Sequence, residues 1–243
     1  MSEIQSCFKR YEKKYLLTKE QYRAMRTGME AYMEPDKHPS YSIMNIYCDT
    51  ENYDLIRTSL EKPVYKEKLR IRSYGVPSSK DKVFIEIKKK YDGIVYKRRI
   101  SVDVQSSVLY MRGIRTFSSS QISREIDYFM KLYRPEPKVF IAYDRTAFSA
   151  KDGSDLRITF DTGLRARSED LDLRSGDYGV PLLESDLYLM EIKIPGAAPL
   201  WLARLLSENR IFPTSFSKYG MYYKKFVAGG RVAAAKKEVV LSA

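Results

Sequence analysis

Histidine and cysteine are nearly absent: one His and two Cys in 243 residues. The lone imidazole, His38, sits in the turn-like "PDKHPS", which excludes histidine triads and His-rich metal sites. Cys7 and Cys48 are too few for a disulfide framework and lack metal-ligand spacing, so both read as small buried hydrophobes. No apolar run reaches the ~18 residues of a membrane span. The start, "MSEIQSCFKRYEKKY", has no signal-peptide core, and a cytoplasmic setting is expected. Internal repeats, low-complexity tracts and Pro/Gly/Ser-rich linkers are also missing. A single domain is therefore expected over 1–226, with 227–243, where the aromatics stop after Phe226, as a tail.

What the chain does have is positive charge. It carries 43 Lys+Arg against 31 Asp+Glu, a net +12, with a pI near 9.5. Such a surplus favours polyanionic partners, whether nucleic acid, anionic membrane or phosphorylated small molecules. The 44% hydrophobic content supplies a sizeable core.

Strand patterns fall at 8–17, 42–49, 64–74, 82–91 and 94–103, with "YDG" at 91–93 as a hairpin signal. Thr18 and Gln21 form a capping box opening a helix through Met33, and Thr50 caps a short helix closed off by Pro63. Helices are expected near 104–112 and 119–134. Strands follow in "KVFIAYDRTAFSA", "LRITFDTGLRAR" and "LYLMEIKI", and "APLWLARLLSENR" is an amphipathic helix with Trp201 as a packing residue. Helices this few and this unevenly placed indicate α+β with a largely antiparallel sheet rather than a βαβ series.

Charge recurs at every second residue in these strands. In "KEKLRIRSYG" Lys66, Lys68, Arg70 and Arg72 share one face, opposite Leu69 and Ile71. Glu86, Lys88 and Lys90 share a face with Phe84, opposite Val83, Ile85 and Ile87; Lys97 and Arg99 oppose Tyr96, Ile100 and Val102. The same parity holds for Arg157, Thr159 and Asp161, for Glu191 and Lys193, and for Arg10, Glu12 and Lys14. One such strand is ordinary surface salt bridging, which stabilises little. Six of them describe a concavity for a polyanion, either an open sheet or a closed barrel with a charged interior and helices packed outside. Closure would remove sheet edges and focus the inward field. The carboxylates among the cations, Glu86, Asp161 and Glu191, are hard oxygen ligands suited to Mg²⁺ or Mn²⁺ shared with phosphate.

The motifs "FKRYEKKYLL", "KLRIRSYG", "EIKKKYDGIVYKRR", "AYDRTAF", "LRITFDTGL", "LMEIKIPG" and "FSKYGMYY" resemble, in order and spacing, those of the VTC (vacuolar transporter chaperone) catalytic domain. That domain is a polyphosphate polymerase of the CYTH, or triphosphate tunnel metalloenzyme, superfamily. The chain is most similar to its stand-alone bacterial members. The resemblance implies a closed eight-stranded antiparallel β-barrel lined by Arg and Lys, binding ATP, inorganic polyphosphate and Mn²⁺ or Mg²⁺, with no nucleic-acid partner. Matched motif by motif, Arg70, Arg72, Lys88, Arg145 and Lys218 would act on the reacting phosphates. Arg10, Lys14, Lys68, Lys97, Arg99, Arg157 and Lys193 would bind phosphate, and Glu191, with Glu86 and Asp161, would hold the metal. Arg10 stands where the superfamily has the first glutamate of "ExExK", and Ser215 where some VTC members carry a further lysine. The expected activity is transfer of the γ-phosphate of ATP to a polyphosphate chain. A tripolyphosphatase or nucleoside triphosphatase in the same tunnel, and a non-enzymatic polyanion-binding module, remain alternatives.

Overall fold

The computed structural model describes residues 11–92, 94–117 and 120–229. Arg10, the first residues of the expected strand at 8–17 and the tail from 230 onward lie outside them. Strand β1 (Tyr11–Leu17) leads into helix α1 (Lys19–Gly28) through the expected capping box: Gln21 N donates to Thr18 Oγ1, and Thr18 N to Gln21 Oε1. The helix stops short of Met33 because that residue already opens β2 (Met33–Asp49). This strand is twice the expected length. It absorbs "PDKHPS" through a register shift between Pro35 and Ser40 instead of turning there.

Helix α2 (Asp54–Leu60) starts later than "capped by Thr50" predicts. Thr50 Oγ1 accepts from Asp54 N, and the buried Asp49 carboxylate accepts from Leu55 N and Ile56 N. Strands β3 (Tyr65–Tyr74), β4 (Lys82–Tyr91) and β5 (Ile94–Asp103) form a meander that includes the expected β4–β5 hairpin. Helices α3 (Val104–Met111) and α4 (Gln121–Tyr133) follow, then β6 (Glu136–Ala150), β7 (Arg157–Arg167), the two-residue β8 (Val180–Pro181) and β9 (Tyr188–Ile194). Helix α5 (Leu200–Glu208) is followed by α6 (Lys218–Tyr222), which runs on into a π-helical segment, Tyr223–Ala228.

All strand pairs are antiparallel, in the order β1-β9-β7-β6-β2-β3-β4-β5, with β8 attached to β7. The hydrogen-bonded ladder does not close: among the described residues no rung joins β1 to β5. The free side of β1 instead takes one bridge from the segment before α6, where Thr214 N donates to Lys14 O at 2.7 Å. The sheet is nonetheless strongly curled. Laid flat, β1 and β4 would be six strand spacings apart, about 29 Å. Yet Lys88 Nζ on β4 lies 3.7 Å from Glu12 Oε2 on β1.

The alternation explains the curl's two surfaces. Leu69, Ile71, Val83, Ile85 and Ile87 pack on the convex side under Ile126 and Phe129 of α4 and Val104 and Tyr110 of α3. Tyr15, Ile158, Phe160 and Ile192 do the same under Met25 of α1 and Leu202 of α5. The charged residues face the hollow. Ile85 has no exposure at all, so Ile85→Ala should cost about 2–5 kcal/mol through transfer and cavity terms. Urea denaturation reads this directly, and an unmoved midpoint would contradict the packing of α3 and α4 on this surface.

Candidate functional site

Glu86 is the hub of one half of the hollow. Its side chain is 1% exposed, and its neighbours by strand register are Arg70 on β3 and Arg99 on β5. Arg70 donates through Nε to Glu86 Oε2 at 2.8 Å, with Nη2 also at 2.8 Å. Lys97 Nζ lies 2.7 Å, Arg99 Nη1 3.9 Å and Arg72 Nε 3.7 Å from the same carboxylate. Burial pushes the Glu86 carboxyl up, but Arg70, Arg72 and Lys97 outweigh it and bring it down to about 2. Lys97 does not recover fully: burial takes its ammonium down to about 8 despite Glu86.

Arg72 is fixed by residues that look like ordinary strand positions. Its Nε donates to Asn45 Oδ1 at 2.9 Å, and Asn45 Nδ2 donates to Ile141 O at 3.1 Å. Its Nη2 donates to Tyr143 OH at 3.4 Å, and Arg70 Nη1 to Tyr47 OH at 3.3 Å. Burial raises the Tyr47 phenol, but Arg70, Arg72 and Lys218 more than reverse this and take it to about 8.

A second hub meets the first at Tyr143, whose ring lies 4.1 Å from Lys218 Nζ. Arg145 grips Asp161 with Nε at 2.6 Å and Nη2 at 2.8 Å, a bidentate fork, and Lys218 Nζ reaches the same carboxylate at 2.6 Å. Lys218 opens α6, whose cap is Ser217 Oγ accepting from Gly220 N. Helix α6 fills one end of the hollow: Tyr219 stacks on Tyr47 at 5.0 Å and donates to Asp49 Oδ2 at 2.9 Å. Gly220 meets Leu60, whose Cδ2 would lie 2.9 Å from an added Cβ.

The third group lies on β1 and β9. Glu191 Oε1 is 2.8 Å from Lys193 Nζ, and Lys14 Nζ sits between Glu191 at 3.9 Å and Glu12 at 3.4 Å. Burial raises the Glu191 carboxyl, but Lys193, Lys14 and Arg145 hold it well below the usual range. Lys88 joins through Glu12, and Lys68 Nζ donates to Ser217 Oγ at 3.2 Å. Burial, with repulsion from Lys66, Lys88 and Lys14, drops the Lys68 ammonium to about 8 against the pull of Tyr47. Arg157 lies toward the rim, paired with Asp36 at 2.5 Å.

The expected site residues on the described strands and α6 therefore share one hollow. The three expected metal carboxylates do not share one locus. Glu86 and Asp161 each lie among cations of their own, and among the described residues no three His, Cys, Asp or Glu side chains gather around a common point. Glu191 has a carboxylate companion in Glu12, both in reach of Lys14. Two hard oxygen donors in a cation-rich hollow fit a Mg²⁺- or Mn²⁺-type ion that would complete its shell from phosphate and water. Tyr47, Tyr143 and Asn45 escaped the motif match, and Glu12, matched by face with Arg10 and Lys14, was given no metal role. Parity alone places Glu12 in the hollow, whereas two tyrosines and an asparagine carry no such signal.

The structure is thus a curled antiparallel sheet around a cation-rich hollow. The VTC domain model matches residues 9–227, and the chain belongs to that family. Vacuolar transporter chaperone complex subunit 4 of Trypanosoma brucei brucei is 27% identical over 221 residues, covering 74% of this chain and 27% of that protein. The chain thus spans about a quarter of that relative's length. The fold is also that of a candidate adenylate cyclase from Bacillus halodurans, at a TM-score of 0.57 and 13% identity over 92% of this chain and all of the other. No described helix is long and apolar enough to cross a membrane.

As pH rises through about 8, Lys68 loses its positive charge and Tyr47 gains a negative one. Both changes oppose an anion. Affinity for tripolyphosphate, measured calorimetrically, should fall about tenfold or more from pH 7 to 9, since one unit charge about 4 Å away is worth ~1 kcal/mol even in water. A flat profile would place both residues off the ligand's path.

Proposed function

We propose that this chain is a metal-dependent polyphosphate polymerase that transfers the γ-phosphate of ATP to a polyphosphate chain lying in the hollow. The observation that carries this reading is the meeting of two cation hubs at Tyr143 on the charged face of one curled sheet, Arg70 and Arg72 on one side, Arg145 and Lys218 on the other. Membership of the VTC family and the relative's name support it.

In this reading Arg70, Arg72, Lys88 and Arg145 hold the triphosphate, while Lys14, Arg157 and Lys218 line the path of acceptor and product. A terminal phosphate oxygen of the chain attacks the γ-phosphorus, a new P–O bond forms, and the bond to the β–γ bridging oxygen breaks to release ADP. The acceptor is already an anion, so no general base is required; positioning and charge neutralisation carry the rate. Glu191, with Glu12, would hold the divalent ion, and that ion neutralises phosphate oxygens when bound. The guanidinium forks fix two oxygens at once, which a lysine cannot do.

Purified protein incubated with ATP and Mn²⁺ should yield long polyphosphate on a sizing gel. Orthophosphate alone would make water the acceptor and the chain a triphosphatase. Removing one fork by Arg72→Ala should lower kcat by roughly 10²–10³, as loss of a preorganised donor does elsewhere. Glu191→Gln should abolish metal-dependent turnover while leaving polyanion binding equal or tighter; unchanged turnover would remove Glu191 from the metal site.

A further inference from the structure

Buried hydroxyls elsewhere in this chain have partners. Ser107 Oγ donates to Val104 O at 2.7 Å, and Ser106 Oγ to Asp103 Oδ2 at 2.6 Å. Thr159 is different. It is 1% exposed, yet among the described residues nothing lies in hydrogen-bond reach of its Oγ1. Burying a hydroxyl unpaired is costly, and each such atom calls for a physical reason. Valine has the same shape and a similar strand preference without that cost.

The surroundings of Thr159 supply the reason. Three strand registers set one row across the sheet: Ala147 on β6, Thr159 on β7, Glu191 on β9 and Lys14 on β1. Along β7 the same-face neighbours of Thr159 are Arg157 and Asp161, so its side chain faces the hollow. Asp161 is not free to pair with it, because Arg145 and Lys218 take both its oxygens. Ala147 offers only a methyl group. Glu191 is the direct cross-strand partner, and the Cβ atoms of such a pair lie about 4.5–5.5 Å apart. Two other unpartnered atoms are unlike this one. Arg157 Nε is one of several donors on a guanidinium whose Nη2 reaches Asp36 at 2.5 Å. Ser73 Oγ lies by parity on the convex side, with Leu69 and Ile71.

Glu191 is also the residue that needs a donor. Its partners are ammoniums, Lys193 Nζ 2.8 Å from Oε1 and Lys14 Nζ 3.9 Å from Oε2. A divalent ion arriving at Glu191 and Glu12 repels both lysines. Ligating carboxylates are themselves hydrogen-bonded, and that bond fixes their orientation. An ionised carboxylate only accepts, and a threonine hydroxyl with an uncommitted proton is the matching donor. Glu12 is placed to use it less well, since its register partner is Lys193 and β9 stands between β1 and β7.

We propose that Thr159 is a positioning residue for the divalent-cation site: when an ion takes Glu191 from its lysines, the Thr159 hydroxyl donates to Glu191 and aims the carboxylate at the ion. The inference rests on the metal-dependent reading of the β1–β9 pair. It gives the unpaired hydroxyl a partner that arrives with the ion, and it assigns the metal site a neutral group among charged ones.

The test is Mn²⁺ binding to the full chain without nucleotide, followed by the paramagnetic resonance signal of free Mn²⁺. Thr159→Val should lose about tenfold or more in Mn²⁺ affinity, the usual cost of removing a group that orients a ligand. Thr159→Ser keeps the hydroxyl and should stay within about threefold of wild type. The metal-free melting temperature of Thr159→Val should equal or exceed that of wild type, because an unpaired buried hydroxyl has been removed. Its stabilisation by added Mn²⁺ should shrink in step with affinity. Metal-free affinity for tripolyphosphate should not change. Wild-type Mn²⁺ affinity in Thr159→Val, or no recovery in Thr159→Ser, would overturn the inference and leave the metal reading standing. A Thr159→Val variant that melts lower and loses tripolyphosphate along with Mn²⁺ would make Thr159 a packing residue, which also overturns it. Wild-type protein that binds no Mn²⁺, or binds it equally after Glu191→Gln, would overturn the metal reading and the inference together.

Discussion

Everything in the hollow depends on keeping cations together that repel one another. Two unit charges 4 Å apart at an effective dielectric of about 20 repel by ~4 kcal/mol. Glu86 faces Arg70, Arg72, Lys97 and Arg99 at once, within 3.9 Å or less. Asp161 does the same for Arg145 and Lys218. Each buried carboxylate lowers the repulsion among its neighbours without cancelling their charge. The empty hollow therefore stays folded and stays positive, and a polyanion entering it replaces repulsion with attraction.

The rest of the fold serves that arrangement. A strand can display cations on one face only if the other is anchored, and α1, α3, α4 and α5 supply the anchor on the convex side. Curling then brings β1 against β4, so Glu12 meets Lys88 from the far end of the strand order. Helix α6 is placed differently from the others. It enters the hollow itself, held by Tyr219 to Asp49, and its first residue delivers Lys218 to the centre.

Much of this is legible in alternation. A period of two assigns Lys68, Arg70, Arg72, Lys88, Lys97 and Arg99 to one face with no knowledge of pairing, and the motif order carries the family. Three features lie beyond such a reading because they are created by tertiary contact. Asn45, Tyr47 and Tyr143 sit in stretches, 43–48 and 139–143, whose other residues are apolar, and only the β2–β3 and β2–β6 registers aim them at Arg70 and Arg72. Helix α6 follows too short a pattern to declare itself. The open ladder depends on the Lys14–Thr214 bridge, which joins residues 200 positions apart.

The carboxylates show how much residue type alone leaves open in a basic site. Glu86, Asp161 and Glu191 share burial, parity and neighbouring lysines, and all three look like metal ligands in one dimension. What separates them is the geometry of their partners. Both Asp161 oxygens are taken, by the Arg145 fork and the buried Lys218 ammonium, while at Glu86 two Arg70 nitrogens hold Oε2 and Lys97 lies 2.7 Å from Oε1, so a cation added at either would have to displace one of them. Glu191 is met by lysines, on stems long enough to swing aside, and has a second carboxylate across Lys14. Forked arginines make a carboxylate structural, while displaceable lysines leave it free to bind an ion. By that criterion the proposed divalent cation fits best at the β1–β9 pair, while Glu86 and Asp161 are what hold the repelling cations of the hollow together.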